Sequence, residues 1–117
     1  KYGIPVDSDL VLDCRFIPNP HWEPELRPKT GQTPEVSKYV LSQSGVGETI
    51  SNYSNLLKKM CAGYLCEGKK YITLSVGCTG GKHRSVAIAE ELARQLSGKF
   101  EDFEIEAHAV HRDVGRE

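Results

Sequence analysis

The sequence has 117 residues, about the size of one ordinary domain, with 38% hydrophobic and 26% charged residues, as in a globular protein. We therefore expect a single domain over residues 1–117, with no apolar run near the roughly 20 residues that a membrane span needs, and no membrane partner. The formal net charge of −1 gives no overall attraction to nucleic acid, which argues against a general nucleic-acid binder.

The four cysteines bear on metal binding and on the compartment. Cys14, Cys61, Cys66 and Cys78 lack the paired Cys-x2-Cys spacing of a zinc site, so no metal site is predicted. Reduced thiols in a cytoplasmic protein are the simpler interpretation. Because the sequence begins at Lys1, without an initiating methionine or a signal segment, we expect it to be a piece of a longer protein.

The first predicted element is a short buried strand over residues 9–15. Residues 16–34, here called the proline-rich loop, hold five prolines and are predicted to form a long ordered loop. Proline can neither continue a helix nor lie in a central strand, and long ordered loops in compact domains are usually functional. Four apolar residues favour a loop that packs over a site: Phe16, Ile17, Trp22 and Leu26.

Two helices are predicted next, over residues 34–43 and 48–67. The second repeats apolar residues at three- and four-residue steps, and Gly68 is well placed to end it. The repeating residues are Ile50, Tyr53, Leu57, Met60 and Tyr64.

A second buried strand is predicted over residues 71–76, a helix over residues 85–96 and a third, more exposed strand over residues 103–110. The inner face of that helix is predicted to hold Val86, Ala89, Leu92, Ala93 and Leu96. This order of elements implies right-handed crossovers and an α/β fold: a small single domain with a short, mainly parallel sheet flanked by helices.

Residues 77–85, GCTGGKHRS, form a glycine turn between the second strand and the following helix. Such a turn directs unpaired backbone N–H groups, at the positive end of the helix dipole, towards whatever occupies it. The glycines allow close approach and the basic side chains can add charged donors, which predicts a bound phosphate anion. The six residues concerned are Gly77, Gly80, Gly81, Lys82, His83 and Arg84. The plain alternative is a tight turn with solvated basic residues.

The spacing Cys-x5-Arg-Ser, from Cys78 to Arg84 and Ser85, also resembles the loop of protein tyrosine phosphatases. A Cys78 thiolate, favoured by a lowered pKa, would attack a phosphoester while Arg84 stabilises the phosphoryl oxygens and Ser85 orients the sulfur. The pattern departs at Gly77, where that family usually has a histidine, and Asp13 is the only candidate for a general acid near the turn. A site without catalysis is therefore preferred, and the phosphatase remains the alternative.

A second group of polar residues lies at the end of the first strand and on the proline-rich loop. Asp13 and Arg15 close the strand, and Asn19, His21 and Arg27 follow, each able to hydrogen-bond a polyhydroxylated or charged ligand. The plain alternative is that Asp13 and Arg15 form an ion pair while His21 packs the loop down.

The stretches DCRFIPNPHWEPELRPKTG, GCTGGKHRSVAIAEELA and HRD resemble the C-terminal domain of the RapZ/YvcJ family of bacterial proteins, over nearly the whole chain. The resemblance implies a non-catalytic, metabolite-sensing adapter domain that binds glucosamine-6-phosphate, or a similar phosphorylated sugar, and small regulatory RNA. It also implies no cofactor in this domain, since ATP or GTP belongs to an upstream P-loop domain that this sequence does not contain. A homo-oligomer is expected.

Carried onto this sequence, the resemblance implies a phosphosugar pocket made by His21 and the glycine turn, with Asp13 and Arg15 beside it. The residues implied in the turn are Thr79, Gly80, Gly81, His83 and Arg84. Together with the residues chosen from their chemistry, the predicted ligand-binding set is Asp13, Arg15, Asn19, His21, Cys78, Thr79, Gly80, Gly81, Lys82, His83, Arg84 and Ser85.

The tail departs from that family, whose RNA-binding members end in a strongly basic segment. This sequence ends HRDVGRE and includes Asp113 and Glu117, so any RNA binding is predicted to be weak and electrostatic. The positive groups available for it are Lys58, Lys59, Lys69, Lys70, Lys82 and Arg112.

Overall fold

The computed structural model describes residues 7–100 and 103–111. Two strands, β1 (Leu10–Asp13) and β2 (Leu74–Gly77), pair in parallel, which confirms the predicted sheet. Two helices lie in the connection between them, as a parallel crossover requires. The carboxyl ends of both strands consequently meet at one edge of the sheet.

The prediction that both strands are buried was wrong. Val11 in β1 is 48% exposed, and Tyr71, which was placed in the second strand, lies ahead of β2 and is 87% exposed. Parallel sheets are buried when helices cover both faces, whereas alternate residues of β1 are exposed here. The sheet therefore has one face packed against the core and one open face.

The helices α1 (Pro34–Leu41) and α2 (Val46–Cys66) begin and end within two residues of their predicted bounds. Proline suits the first position of α1 because its fixed φ is helical and its missing N–H would have had no partner within the helix. Gly68 ends α2 as predicted: its φ of 80° is left-handed, and its N–H donates to the Leu65 carbonyl at 3.0 Å.

The third helix, α3 (Arg84–Leu96), packs against α1, α2 and β2. Its inner face is wider than predicted, because Ala87 and Ile88 are also buried whereas Ala93 is only half-buried. The first turn of α3 is enclosed on several sides, so the usual alternation of inner and outer positions does not apply there. The buried core comprises Cys14, Ile17, Val36, Val40, Val46, Ile50, Cys78, Ala87, Ile88 and Leu92.

The predicted third strand has a different length and a different partner. Residues 103–110 contain only the short strand β4 (Phe103–Ile105), which pairs antiparallel with β3 (Gly98–Phe100). Because β3 starts two residues after α3 ends, a local hairpin closes at less entropic cost than a return to the parallel sheet. Within the two described ranges, no helix combines the length and apolar character needed to cross a bilayer.

Candidate functional site

The ends of β1 and β2 bring the two predicted groups of polar residues together. Asp13 lies opposite Gly77, and the N–H of Cys14 donates to the Gly77 carbonyl at 2.7 Å. The glycine turn starts at that point and runs into α3 at Arg84. The strand end carrying Asp13 and Arg15 therefore lies beside the glycine turn, as expected for parallel neighbours.

The three glycines of the turn differ in what the backbone requires of them. Gly81 has a φ of 68°, a left-handed conformation that favours glycine. At Gly77 and Gly80 an added Cβ would meet no described atom within 4 Å, and neither has a positive φ. Protein packing therefore requires neither of these two glycines, and their surfaces face open space.

Arg84, the first residue of α3, is 5% exposed and is held inside the domain. Its Nη1 donates to the carbonyl of Ile17 at 2.9 Å and to that of Arg15 at 3.2 Å. Its Nε is buried and has no hydrogen-bond partner among the described residues. Arg84 thus fastens the start of the proline-rich loop to α3 and keeps one buried donor unused.

The sulfur of Cys78 is hydrogen-bonded by groups of the turn. The thiol donates to the Ser85 Oγ at 3.2 Å, and the Ser85 N–H donates to the Cys78 Sγ at 3.4 Å. Burial alone would raise the pKa of Cys78, but hydrogen bonds from Ser85 and from the Gly81 backbone, with the charge of Arg84, lower it overall. The direction of the predicted shift is confirmed, although hydrogen bonds cause it more than basic side chains do.

His83 is buried and supports the proline-rich loop instead of offering charge. Its Nε2 lies 3.2 Å from the Arg27 carbonyl, a distance at which the ring N–H donates to it. Burial is the largest cause that lowers the pKa of His83, and the charge of Lys82 adds to it, so the imidazole is neutral at pH 7. The prediction that His83 adds a charged donor was therefore wrong.

Gly31 is a contact residue that the sequence reasoning missed. Its N–H donates to the Lys82 carbonyl at 2.8 Å, which ties the proline-rich loop to the glycine turn. A Cβ at Gly31 would clash with the His83 carbonyl oxygen and would lie 2.5 Å from the Ala87 nitrogen. The one glycine inside a proline-rich stretch was the available signal, since it marks a close backbone approach.

Asp13 and Arg15 form an ion pair with each other, which was the alternative to ligand binding in the sequence analysis. Nη2 of Arg15 lies 2.6 Å from Oδ2 of Asp13, and Nε lies 2.9 Å from the same oxygen. Hydrogen bonds from the Arg15 side chain and backbone lower the pKa of Asp13 to about 2. The carboxylate is consequently ionised at neutral pH and cannot donate a proton as a general acid.

Local hydrogen bonds fix the backbone around the candidate ligand-binding residues on the proline-rich loop. Asn19 Oδ1 accepts the His21 N–H at 3.0 Å, which starts a short 3-10 helix (Pro20–Trp22). Nε of Arg27 donates to the His21 carbonyl at 2.7 Å. These bonds leave the His21 ring exposed, edge-on to the Trp22 ring with centroids 5.4 Å apart.

The apolar residues of the loop do not all pack as predicted. Ile17 and Leu26 contact the core, but Phe16 is 58% exposed and Trp22 is 74% exposed. The loop can be ordered without them because backbone groups held by Arg84 and His83 fix its path. Two aromatic rings therefore remain exposed on its surface.

A groove of about 840 Å³ runs along the sheet and borders the glycine turn. Four residues of the turn line it: Gly77, Cys78, Gly81 and Ser85. None of Asp13, Arg15, Asn19 and His21 does. Thr79 is exposed and Lys82 half-buried on the turn itself. The structure thus brings Asp13 and Arg15 beside the turn, while the ligand-binding set as a whole stays a prediction.

Parallel strands, a glycine turn and a helix that starts from the turn make this chain a small α/β domain with its candidate site at the strand ends. The family model described as the RapZ C-terminal domain matches residues 1–115. The chain therefore belongs to the RapZ C-terminal domain family, in agreement with the resemblance of its motifs.

Several relatives are similar over the whole chain. It is 58% identical to a nucleotide-binding protein of Streptomyces griseus, 57% to one of Thermobifida fusca and 53% to one of Mycobacterium avium. All of this chain is matched in each comparison, but only 34%, 38% and 39% of the respective relatives. The chain thus spans less than two-fifths of the length of these relatives.

Proposed function

We propose that residues 1–117 form a non-catalytic sensor domain of an adapter protein, which binds a phosphorylated sugar such as glucosamine-6-phosphate at the glycine turn. The observation that carries the proposal is the meeting of the start of α3, the Gly81 and Ser85 N–H groups and the buried Arg84 at one turn. All of these groups favour negative charge. A phosphate dianion is the natural occupant of such a field.

The lowered pKa of Cys78 is a sign of the field that the turn creates inside the protein. Burial disfavours a thiolate, yet the pKa of Cys78 falls because the turn directs its donors at the sulfur. The same turn leaves open space where a Cβ of Gly77 or Gly80 would lie, so an anion can approach the backbone there. The buried Nε of Arg84, which has no hydrogen-bond partner among the described residues, can add one more donor to the anion.

The sugar end of the ligand is assigned to the exposed His21 ring. Asp13 is engaged by Arg15, so an amine on the sugar would have to share that carboxylate with the guanidinium. His21 has its backbone fixed by Asn19 and Arg27 while its ring faces solvent, which suits a hydrogen bond to a sugar hydroxyl. Ligand binding at the turn would then affect a protein or RNA partner through the proline-rich loop.

Two glycine variants test the phosphate end without disturbing the core. Gly77→Ala and Gly80→Ala each add one methyl group where no described atom lies within 4 Å, so both should fold normally. We expect calorimetry to show at least tenfold weaker binding of inorganic phosphate and of glucosamine-6-phosphate, because the methyl group blocks approach to the backbone. Parent-like affinity in both variants would contradict the site.

His21→Ala and Arg84→Ala separate the two ends of the ligand. His21→Ala should weaken glucosamine-6-phosphate much more than phosphate, whereas Arg84→Ala should abolish both. Because Arg84 also holds two carbonyls of the chain, its variant needs a melting curve to show that it is folded. Gly63→Ala, on the exposed side of α2, is the matched control and should bind both ligands as the parent does.

A cysteine-dependent phosphatase is the second candidate, favoured by the Ser85 contacts to the Cys78 sulfur. Asp13, the candidate general acid, does not serve it, because hydrogen bonds from Arg15 lower the pKa of that carboxylate and keep it ionised. We expect no turnover of an aryl phosphate. Steady-state phosphate release that is lost in Cys78→Ser would establish the enzyme instead.

A further inference from the structure

Cys14 and Cys78 lie next to each other at the ends of the paired strands. The parallel register places Asp13 opposite Gly77, and the bond from the Cys14 N–H to the Gly77 carbonyl continues the ladder by one residue. Cys14 is thereby opposite Cys78. Neighbouring strands lie about 4.8 Å apart, which is within the roughly 4.4 to 6.8 Å that separates the Cα atoms of disulfide-bonded cysteines.

The two thiols also share one side of the sheet. Residues in register on parallel strands direct their side chains to the same face, and both cysteines belong to the same buried cluster. Cys14 is fully buried and Cys78 is 9% exposed. The groove along the sheet is lined by Cys78 and not by Cys14, so a small reagent entering from solvent meets Cys78 first.

The two thiols have opposite acid–base properties. Burial, and then the charge of Cys78, raise the pKa of Cys14 to about 12, whereas the hydrogen bonds of the turn lower the pKa of Cys78. Only a thiolate attacks an oxidant readily. The pair therefore combines one sulfur that can react with a neighbouring thiol that stays protonated at neutral pH.

We propose that Cys14 and Cys78 form a redox-sensitive dithiol that closes to an intrachain disulfide after reaction with a hydroperoxide. The Cys78 thiolate attacks the terminal hydroxyl oxygen of the peroxide, an S–O bond forms as the O–O bond breaks, and an alkoxide or hydroxide leaves with the electron pair. Cys78 becomes a sulfenic acid. The Cys14 sulfur then attacks the Cys78 sulfur, and the S–S bond forms. The hydroxyl group of the sulfenic acid leaves as water together with the Cys14 proton.

The other two cysteines do not offer such a pair. Cys61 and Cys66 are five residues apart on α2, so their side chains point about 140° apart around the helix axis. Cys66 is exposed, and its oxidation would link two chains. Intrachain and interchain products are distinguishable by size.

Peptide mapping of the parent chain tests the proposal directly. The protein is treated with hydrogen peroxide, its free thiols are alkylated under denaturing conditions, and the digest is analysed without reduction. We expect one peptide pair linked through Cys14 and Cys78, a loss of two hydrogen atoms per chain, and full reversal by dithiothreitol. A Cys78 that is oxidised to sulfinic acid while Cys14 remains alkylatable overturns the proposal, as does an unreacted Cys78 after oxidation of Cys66.

Two variants check the order of the steps. Cys14→Ala keeps the reactive sulfur without its neighbour, so a dimedone adduct should accumulate on Cys78. In Cys78→Ser, Cys14 should stay fully reduced under the same treatment. Cys61→Ser/Cys66→Ser is the matched control, and it should form the intrachain disulfide at the parent rate. Oxidation of Cys14 in the Cys78→Ser variant would contradict the assigned roles.

Discussion

Arg84, His83 and Asp13 each have a protein partner, and this limits what they can offer a ligand. Arg84 and His83 hold backbone carbonyls of the proline-rich loop, and Asp13 is paired with Arg15. A buried polar group without a partner costs about 1 to 3 kcal/mol, so the Nε of Arg84, which has no partner among the described residues, is an unfavourable feature of the fold. Any anion that reaches this atom recovers that cost.

The buried thiol of Cys14 should make the domain sensitive to alkaline pH. Its pKa is raised from the usual 9.0 to about 12, chiefly by burial, so above pH 9 the unfolded chain loses a proton that the folded chain keeps. This contribution to stability is complete below pH 9 and is lost as the pH rises towards 12. The loss is up to about 1.4 kcal/mol per pH unit.

Urea unfolding at pH 8, 9, 10 and 11 measures this effect. Cys14→Ala removes the titrating group, so the stability difference between parent and variant should shrink as the pH rises. Cys66→Ala removes an exposed thiol and should follow the parent curve. Parallel curves for the parent and Cys14→Ala would show that Cys14 ionises with its ordinary pKa in the folded chain.

At the scale of elements, the proline-rich loop and α3 are packed as one unit. Three separate bonds join the loop to the start of α3 and to the turn just before it: Arg84 to the Ile17 carbonyl, His83 to the Arg27 carbonyl and Gly31 to the Lys82 carbonyl. Every one of these bonds ends on a backbone group. The candidate site therefore depends on the docking of the loop as much as on the glycine turn.

Gly31→Ala should break this docking. The added methyl group would meet backbone atoms of His83 and Ala87, which cannot move aside as a flexible side chain could. We expect a loss of stability of about 1 to 3 kcal/mol in denaturant unfolding, and weaker phosphate binding. Gly63→Ala is the control, since α2 leaves that position open and the substitution should stabilise by about 0.5 to 1 kcal/mol. Equal stability of the two variants would contradict the docking.

Periodicity was enough to predict the helices, because their spacing is a local property. The pairing of β1 with β2 also followed from the order of elements. The role of His83 could not be predicted, since the sequence shows a titratable ring but not the carbonyl that engages it. For Asp13 the sequence offered an ion pair with Arg15 as one of two alternatives and could not decide between them. The partner of β4 was missed for a related reason: alternation reveals a strand but not the edge it joins.

At the scale of the whole molecule, the balance of charge determines how strongly the chain attracts a polyanion such as RNA. The net charge is −1, and part of the positive charge is engaged: Lys69 lies 3.1 Å from Asp9, and Lys58 lies over the Phe100 ring. Lys59 and Lys70 are exposed. Arg112 lies outside the described residues. A homo-oligomer, which stays a prediction, would bring such groups from several copies together.

RNA binding by the isolated chain should therefore be weak and lost in salt. With about three phosphates contacted, affinity should fall roughly 20- to 40-fold between about 50 and 200 mM salt. Fluorescence anisotropy with a structured RNA measures this slope. Lys59→Ala/Lys70→Ala should weaken binding and flatten the slope. Submicromolar binding that persists at several hundred millimolar salt would contradict the prediction and indicate base-specific contacts.

The hydrogen bonds that hold the proline-rich loop use its backbone carbonyls and the Gly31 N–H, so its position does not depend on its side chains at these points. Substitution of an exposed loop side chain such as Trp22 or Phe16 removes none of these bonds. The exposed side chains of the loop can thus vary while the path of its backbone is kept. The exposed side chains could be exchanged in the laboratory in the same way, to present different surfaces on one scaffold.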